Sequence, residues 1–315
     1  MYRAIARLAA AAALVAGLSS AVPSSAVQVR AGDLLIASTY GGNRAVYVVD
    51  HTTLTMTWAA GFGLIRSPYG IAALLDGRIL LADATSGVLV IDPATGAQSV
   101  FSSGGLLAGG TPYGVAVEPG GNALVSGLFP ACGGPAVVRL SPDGTSQSIL
   151  KVGPPLSFPV GLTVGPAGVV NVCDRTAGVV VRVALADGSV IGQIASPSFV
   201  NPMACGYSPQ TGQLLVVQAG TMSSCINGGA FWVDPLTWVA TTLELGTPCL
   251  PGVAIAPDGA VAYSGETVEN RSITAGYVVW RGATFQGVAG PLTIAPEGAT
   301  PTRQATWGRI KQIYR

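Results

Sequence analysis

A short pattern recurs along the chain, and with it the sequence predicts an all-β fold: a six-bladed β-propeller with four-stranded antiparallel blades. Three observations carry the prediction. The first is the repeat itself. SPYGIAALLDG (67–77), TPYGVAVEPGG (111–121), FPVGLTVGPAG (158–168), the looser NPMACGYSPQTG (201–212) and CLPGVAIAPDG (249–259) bring Gly70, Gly114, Gly161, Ala204 and Gly252 round at steps of 44, 47, 43 and 48 residues. The second is that each copy continues into further short β-rich runs bounded by Gly, Pro, Asp or Ser, which read as strands. The third is composition: 43 Gly and 22 Pro supply many turns, and 49% hydrophobic against 10% charged residues supplies runs buried on both faces. Four strands per 40–50 residues match a propeller blade, and a blade buries its faces only by stacking against neighbours.

The elements follow in order. DLLIAS (33–38) and RAVYVVD (44–50) open the array without a Pro-x-Gly strand before them. Each later unit has a first strand at the repeat pattern, a second such as RILLAD, VVNVCD or QLLVVQ, a third such as GVLVID or GVVVRVA, and a weaker fourth. GPLTIAPEG (290–298) supplies a last first strand without continuation, so the N- and C-terminal strands are expected to pair, close the ring and remove an open edge. The tail 299–315 leaves a seventh blade as an alternative. Residues 1–26 read as a signal peptide: Arg3 and Arg7, an apolar run from Leu8 to Leu18, then small residues at Ser24-Ser25-Ala26. Residues 27–315 are expected to form a single propeller domain, secreted or in the periplasm or cell envelope, with no transmembrane segment after cleavage. The net charge of +1 argues against nucleic acid as partner.

Pro68-Tyr69-Gly70-Ile71-Ala72, Asp76-Gly77, Leu81-Ala82-Asp83 and Val90-Ile91-Asp92, echoed in the other copies, resemble the NHL-repeat propellers. The resemblance spans nearly all of residues 31–298. It implies either a protein- or RNA-binding platform or one of the related lactonase-like hydrolases and streptogramin-type lyases, since a fold does not choose among activities.

The residues favour binding. No first-strand turn places a carboxylate or Asn on the axis for a lactonase-type cation, and His51 is the only histidine, which leaves acid–base lyase chemistry, a zinc site or a Ser-His-acid triad without parts. No catalytic residue, metal or cofactor is expected. Asp83 corresponds to Ser38, Gly127, Asp174, Gln218 and Gly265 in the other copies, so it reads first as a loop-capping residue. The loops after the second strands vary most and share a face with the starts of the first strands, where propellers place recognition. The candidate ligand-binding rim is Tyr40, Tyr69, Asp83, Tyr113, Phe129, Asp174, Arg175 and Glu266, with Met222 nearby. Among five cysteines, Cys225 and Cys249 are expected to form a disulfide, and Cys173 and Cys205 to meet between blades as a second; Cys132 is left over. The expected function is an exported binding or scaffold module for a protein, small-molecule or polymer ligand. The alternatives are a lactonase-like hydrolase or lyase with a non-standard centre, and an envelope adhesion component.

Overall fold

The computed structural model describes residues 26–296 apart from 39–43, 197–198, 221–227, 235, 248, 270–271, 282 and 287–289. It is all-β. The chain opens with β1 (Leu34–Ser38), β2 (Ala45–Val49) and β3 (Met56–Gly61). Five blades of four consecutive antiparallel strands follow: β4 (Pro68–Ala73) to β7 (Ala97–Ser102), with β5 Ile79–Asp83 and β6 Gly87–Asp92; β8 (Thr111–Val117) to β11 (Gln147–Val152), with β9 Ala123–Phe129 and β10 Gly134–Leu140; β12 (Pro159–Gly165) to β15 (Val190–Ala195), with β13 Val169–Asp174 and β14 Val179–Ala184; β16 (Pro202–Tyr207) to β19 (Ala240–Thr247), with β17 Leu214–Gln218 and β18 Gly228–Val233; and β20 (Cys249–Ile255) to β23 (Ala283–Gln286), with β21 Val261–Glu269 and β22 Ser272–Trp280. The last strand, β24, is Leu292–Ile294.

The expectation of six or seven like blades is corrected. Five blades are complete repeats. The remaining four-stranded sheet is composite, in the order β24-β1-β2-β3; its two chain ends pair as a ladder at Leu34 with Ile294, Leu35 with Thr293 and Ile36 with Leu292, continued by backbone bonds from Ala37 to Pro291 and from Ala295 to Asp33. Pro291 and Pro296 flank β24 and lack the N–H needed to lengthen it. The tail 299–315 lies outside the described residues.

Burial follows distance from the axis. The second strands β5 and β17 are buried at every residue, because sheets cover both of their faces, whereas outer strands such as β7 are largely exposed. Apolar clusters fill the spaces between neighbouring sheets: Leu81 and Ile91 pack with Val46 and Ala37, and Leu80 and Val88 with Val125 and Val138. Each Leu, Ile or Val among them contributes about 1.5–3 kcal/mol on burial.

The Pro-x-Gly signature has a specific geometry. In all five blades the pairing of first with second strand slips at this motif, as a β-bulge between Pro68 and Gly70, Pro112 and Gly114, Pro159 and Leu162, Pro202 and Ala204, and Cys249 and Gly252. The proline needs no ladder partner, and the bulge turns the strand toward the axis. The glycine then lies directly against the next first strand. A Cβ on Gly70 would stand 2.8 Å from Tyr113 O, 2.8 Å from Val115 N and 2.9 Å from the Gly114 Cα; one on Gly161 would meet Met203 and Ala204, and one on Gly252 would meet Gly290 and Leu292. Backbone packs on backbone there, which only glycine permits.

Cys173 and Cys205 sit side by side in the core between the β12–β15 and β16–β19 blades, but both are free thiols, which corrects the expected second disulfide. The Cys205 thiol donates to the carbonyl of Asn171 at 3.6 Å, and burial, then the hydrogen bond that Cys173 gives to Cys205, push the Cys173 thiol well up. They act as small core side chains. Cys225 of the other expected pair lies outside the described residues.

Two outcomes follow. Gly70→Val lowers stability by about 3 kcal/mol in urea denaturation, whereas Gly120→Ala, with open space around its Cβ, stays within about 0.5 kcal/mol; equal effects would refute the close-contact role. In peptide-mapped alkylation, Cys173 and Cys205 stay unmodified in the native protein and react on unfolding.

Candidate functional site

Strand direction sorts the molecule into two faces. First strands begin, and second strands end, on one side, the loop face; the turns from first to second and from third to fourth strands lie on the other, the turn face.

On the loop face the second strands end in staples. Asp83 is fully buried, and its carboxylate accepts four backbone N–H bonds: Oδ2 from Arg66 and Ser67, both at 2.7 Å, and Oδ1 from Thr85 at 3.0 Å and Ser86 at 2.9 Å. It ties the loop entering its own first strand to the loop leaving its second. Asp174, equally buried, accepts from Ser157 at 2.6 Å, Phe158 at 2.9 Å and Ala177 at 2.9 Å. Gln218 takes the same place, accepting from Val200 at 2.8 Å. Where the position holds glycine, the serine one residue earlier makes a different link, to the next blade: the Ser126 hydroxyl donates to Val160 O, and the Ser264 hydroxyl to Gly290 O at 2.7 Å. These groups fasten loops, and Asp83 and Asp174 present no carboxylate to solvent.

The exposed chemistry of this face is aromatic. Tyr69, 47% exposed, packs edge-on against Tyr113 with ring centroids 5.3 Å apart. Tyr113 meets Phe158 at 5.0 Å, and the Arg175 guanidinium lies 4.3 Å over the Phe158 ring. The bulge after Pro68 and Pro112 sets the two tyrosines at matching places in adjacent blades, and Arg175 is anchored by its own N–H to the Phe158 carbonyl at 3.0 Å. Three rings and one cation thus span three consecutive blades. Burial, and then Tyr69, push the Tyr113 phenol up while Arg175 pulls it down, so it stays a neutral donor at pH 7.

Beneath this cluster the passage between the first strands is narrow, a cavity of about 50 Å³ between Tyr69, Gly114, Gly161, Met203 and Pro251. It widens toward the turn face into a funnel of about 410 Å³, walled by Ile71, Val115, Leu162, Val253 and Leu292. The funnel's carboxylate, Glu118, is already bonded to Arg139 at 2.7 Å and to the Asn122 amide at 2.8 Å. The wide opening and the exposed aromatic chemistry are therefore at opposite ends.

Of the expected rim, Tyr69, Tyr113 and Arg175 come together. Asp83 and Asp174 lie under the loops. Phe129 is corrected: it is fully buried, packed over Gly110 and Gly127 in the core. Glu266 pairs through its backbone with Cys249, and its side chain lies outside the described residues, as do Tyr40 and Met222. Phe158 was missed because it precedes the repeat proline, whereas the tyrosines follow theirs. His51 sits on the turn face, its Nδ1 2.9 Å from Asp33. Among the described residues no three His, Cys, Asp or Glu side chains are placed to hold a metal ion.

Blades, bulges and loop-face cluster together define a β-propeller of small antiparallel blades, of the kind the repeat resembles. Solved structures share this fold. A chain of the nidogen/laminin complex is 17% identical with a TM-score of 0.65, covering 84% of this chain and 98% of that one. A protein of unknown function from Bacteroides caccae is 13% identical with a TM-score of 0.62, covering 85% and 100%. Hydrazine synthase of Kuenenia stuttgartiensis is 17% identical with a TM-score of 0.52, covering 70% and 65%. Identities this low establish the fold alone. No protein-family model matches the chain, and no curated protein does.

Asp83→Ala removes the buried acceptor of four backbone N–H groups and costs about 2–3 kcal/mol in denaturant unfolding. A direct role in ligand contact would instead leave stability near wild type.

Proposed function

We propose that the protein is an exported binding module that takes its ligand or partner on the loop face. The observation that carries this reading is the Tyr69–Tyr113–Phe158 cluster at the loop-face ends of three first strands, with Tyr69 exposed and the other two half-buried. Exposed aromatic rings with a polar tip give large contact area at small entropic cost, and they recur at recognition surfaces. Export rests on the leader-like residues 1–26, which have the basic start, apolar run and small-residue end of a signal peptide. The propeller of the nidogen/laminin complex was solved as part of a protein complex, which agrees with a binding role for this fold. The hydrolase alternative lacks support at the loop face, where the described carboxylates are consumed by backbone amides.

The test compares the two faces. Tyr69→Ala and Tyr113→Ala, each melting within a few degrees of wild type, reduce retention of the natural ligand from the producing cell's envelope fraction. Val164→Trp, which narrows the turn-face funnel, leaves retention unchanged. The reverse pattern places recognition in the funnel and refutes the loop-face reading.

A further inference from the structure

The near-zero net charge conceals a segregation. On the turn face, Asp50, Asp76, Asp143, Asp187, Asp234 and Asp258 stand at or near the surface. All six cap turns by accepting backbone N–H bonds, as Asp50 does from Thr52 and Thr53, and Asp234 from Leu236 and Thr237. Such bonds hold Asp50, Asp187, Asp234 and Asp258 below the usual carboxylate range, and the Ser141 hydroxyl with Thr145 draws Asp143 down to about 2. The arginines on that side are largely paired: Arg30 with Asp50, Arg78 with Asp76, Arg139 with Glu118 and Arg281 with Asp258.

The loop face is the opposite. Arg44, Arg66, Lys151 and Arg175 reach its surface, and among the described residues none of them pairs with a carboxylate. The acids described there, Asp83 and Asp174, are buried and satisfied. Arg66 lies three residues before Tyr69, and Arg175 rests on Phe158 beside Tyr113. Among the described residues, aromatic surface and cations without a carboxylate partner therefore coincide, while the solvent-exposed acids lie on the far side.

We infer that the loop face recognises a carboxylate-bearing ring, the ring lying against Tyr69 and Tyr113 and the carboxylate meeting the Arg175 guanidinium. This rests on the loop-face reading above. A guanidinium resting over an aromatic ring, as Arg175 does 4.3 Å above Phe158, still offers a planar fork of N–H groups to a carboxylate, which lysine does not reproduce. The cavity beneath, about 50 Å³, has room for a water or two, so the ring rests on the mouth and does not enter the passage. Acidic sugars and aromatic acids both have this chemistry.

Calorimetric titration of the full chain at low salt separates them, with trigalacturonate and phenylacetate as the two acids, galactotriose and benzyl alcohol as their neutral counterparts, and polyphosphate as charge alone. At least one acid binds about tenfold tighter than its neutral counterpart, and Arg175→Gln and Tyr69→Ala each weaken it by about tenfold. Arg175→Lys, which melts like wild type, recovers only part of the loss. Binding of the neutral counterpart at equal strength, with Tyr69→Ala still impairing it, overturns the acidic ligand and spares the loop face. Tighter binding of polyphosphate, indifferent to Tyr69→Ala, overturns the ring. Acid binding unaffected by either substitution but lost in Val164→Trp overturns both readings, and absence of binding by both acids at millimolar concentration overturns this inference.

Discussion

Backbone contact around the axis is the constraint on which the rest of the structure depends. Five strand-leading motifs bulge inward, and at Gly70, Gly114, Gly161 and Gly252 the next first strand, or the segment leading into it, comes so near that a methyl group has no place. That proximity sets how far the blades splay, and hence how tightly Leu81, Val125 and their neighbours fill the spaces between sheets. It also fixes where Tyr69 and Tyr113 emerge. Packing at the centre and presentation at the rim are one geometric fact.

The staples extend the same logic outward. A strand end needs some group to satisfy the amides of the loops it adjoins. Aspartate does this with four bonds at Asp83, and glutamine does it through Gln218. Serine reaches the next first strand from Ser126 and Ser264. The task differs with the residue: Asp and Gln bind loop amides of their own blade, whereas the serines before the glycines tie one blade to the next.

Much of this was legible in the chain because repetition exposes it. The glycine steps, the strands and the capping role of Asp83 could all be read by comparing copies. What could not be read is set by contacts between copies. Phe129 ends a second strand just as Asp174 does, yet it turns into the core because Gly110 and Gly127 leave room for its ring. Phe158 joins the tyrosines from a different register. Cys173 and Cys205 meet as expected from topology, but as free thiols in an apolar core. The composite sheet departs from the repeat because its first strand is drawn from the far end of the described chain.

The sorting of charge between the faces has a kinetic meaning. Among the described residues, exposed acids on one face and unpaired cations on the other contribute a dipole component along the propeller axis. Near an anionic layer that dipole exerts a torque, so the protein turns its aromatic mouth toward the layer before first contact. Orientation before collision raises the association rate without adding a single bond, and salt abolishes it over a Debye length of about 10 Å.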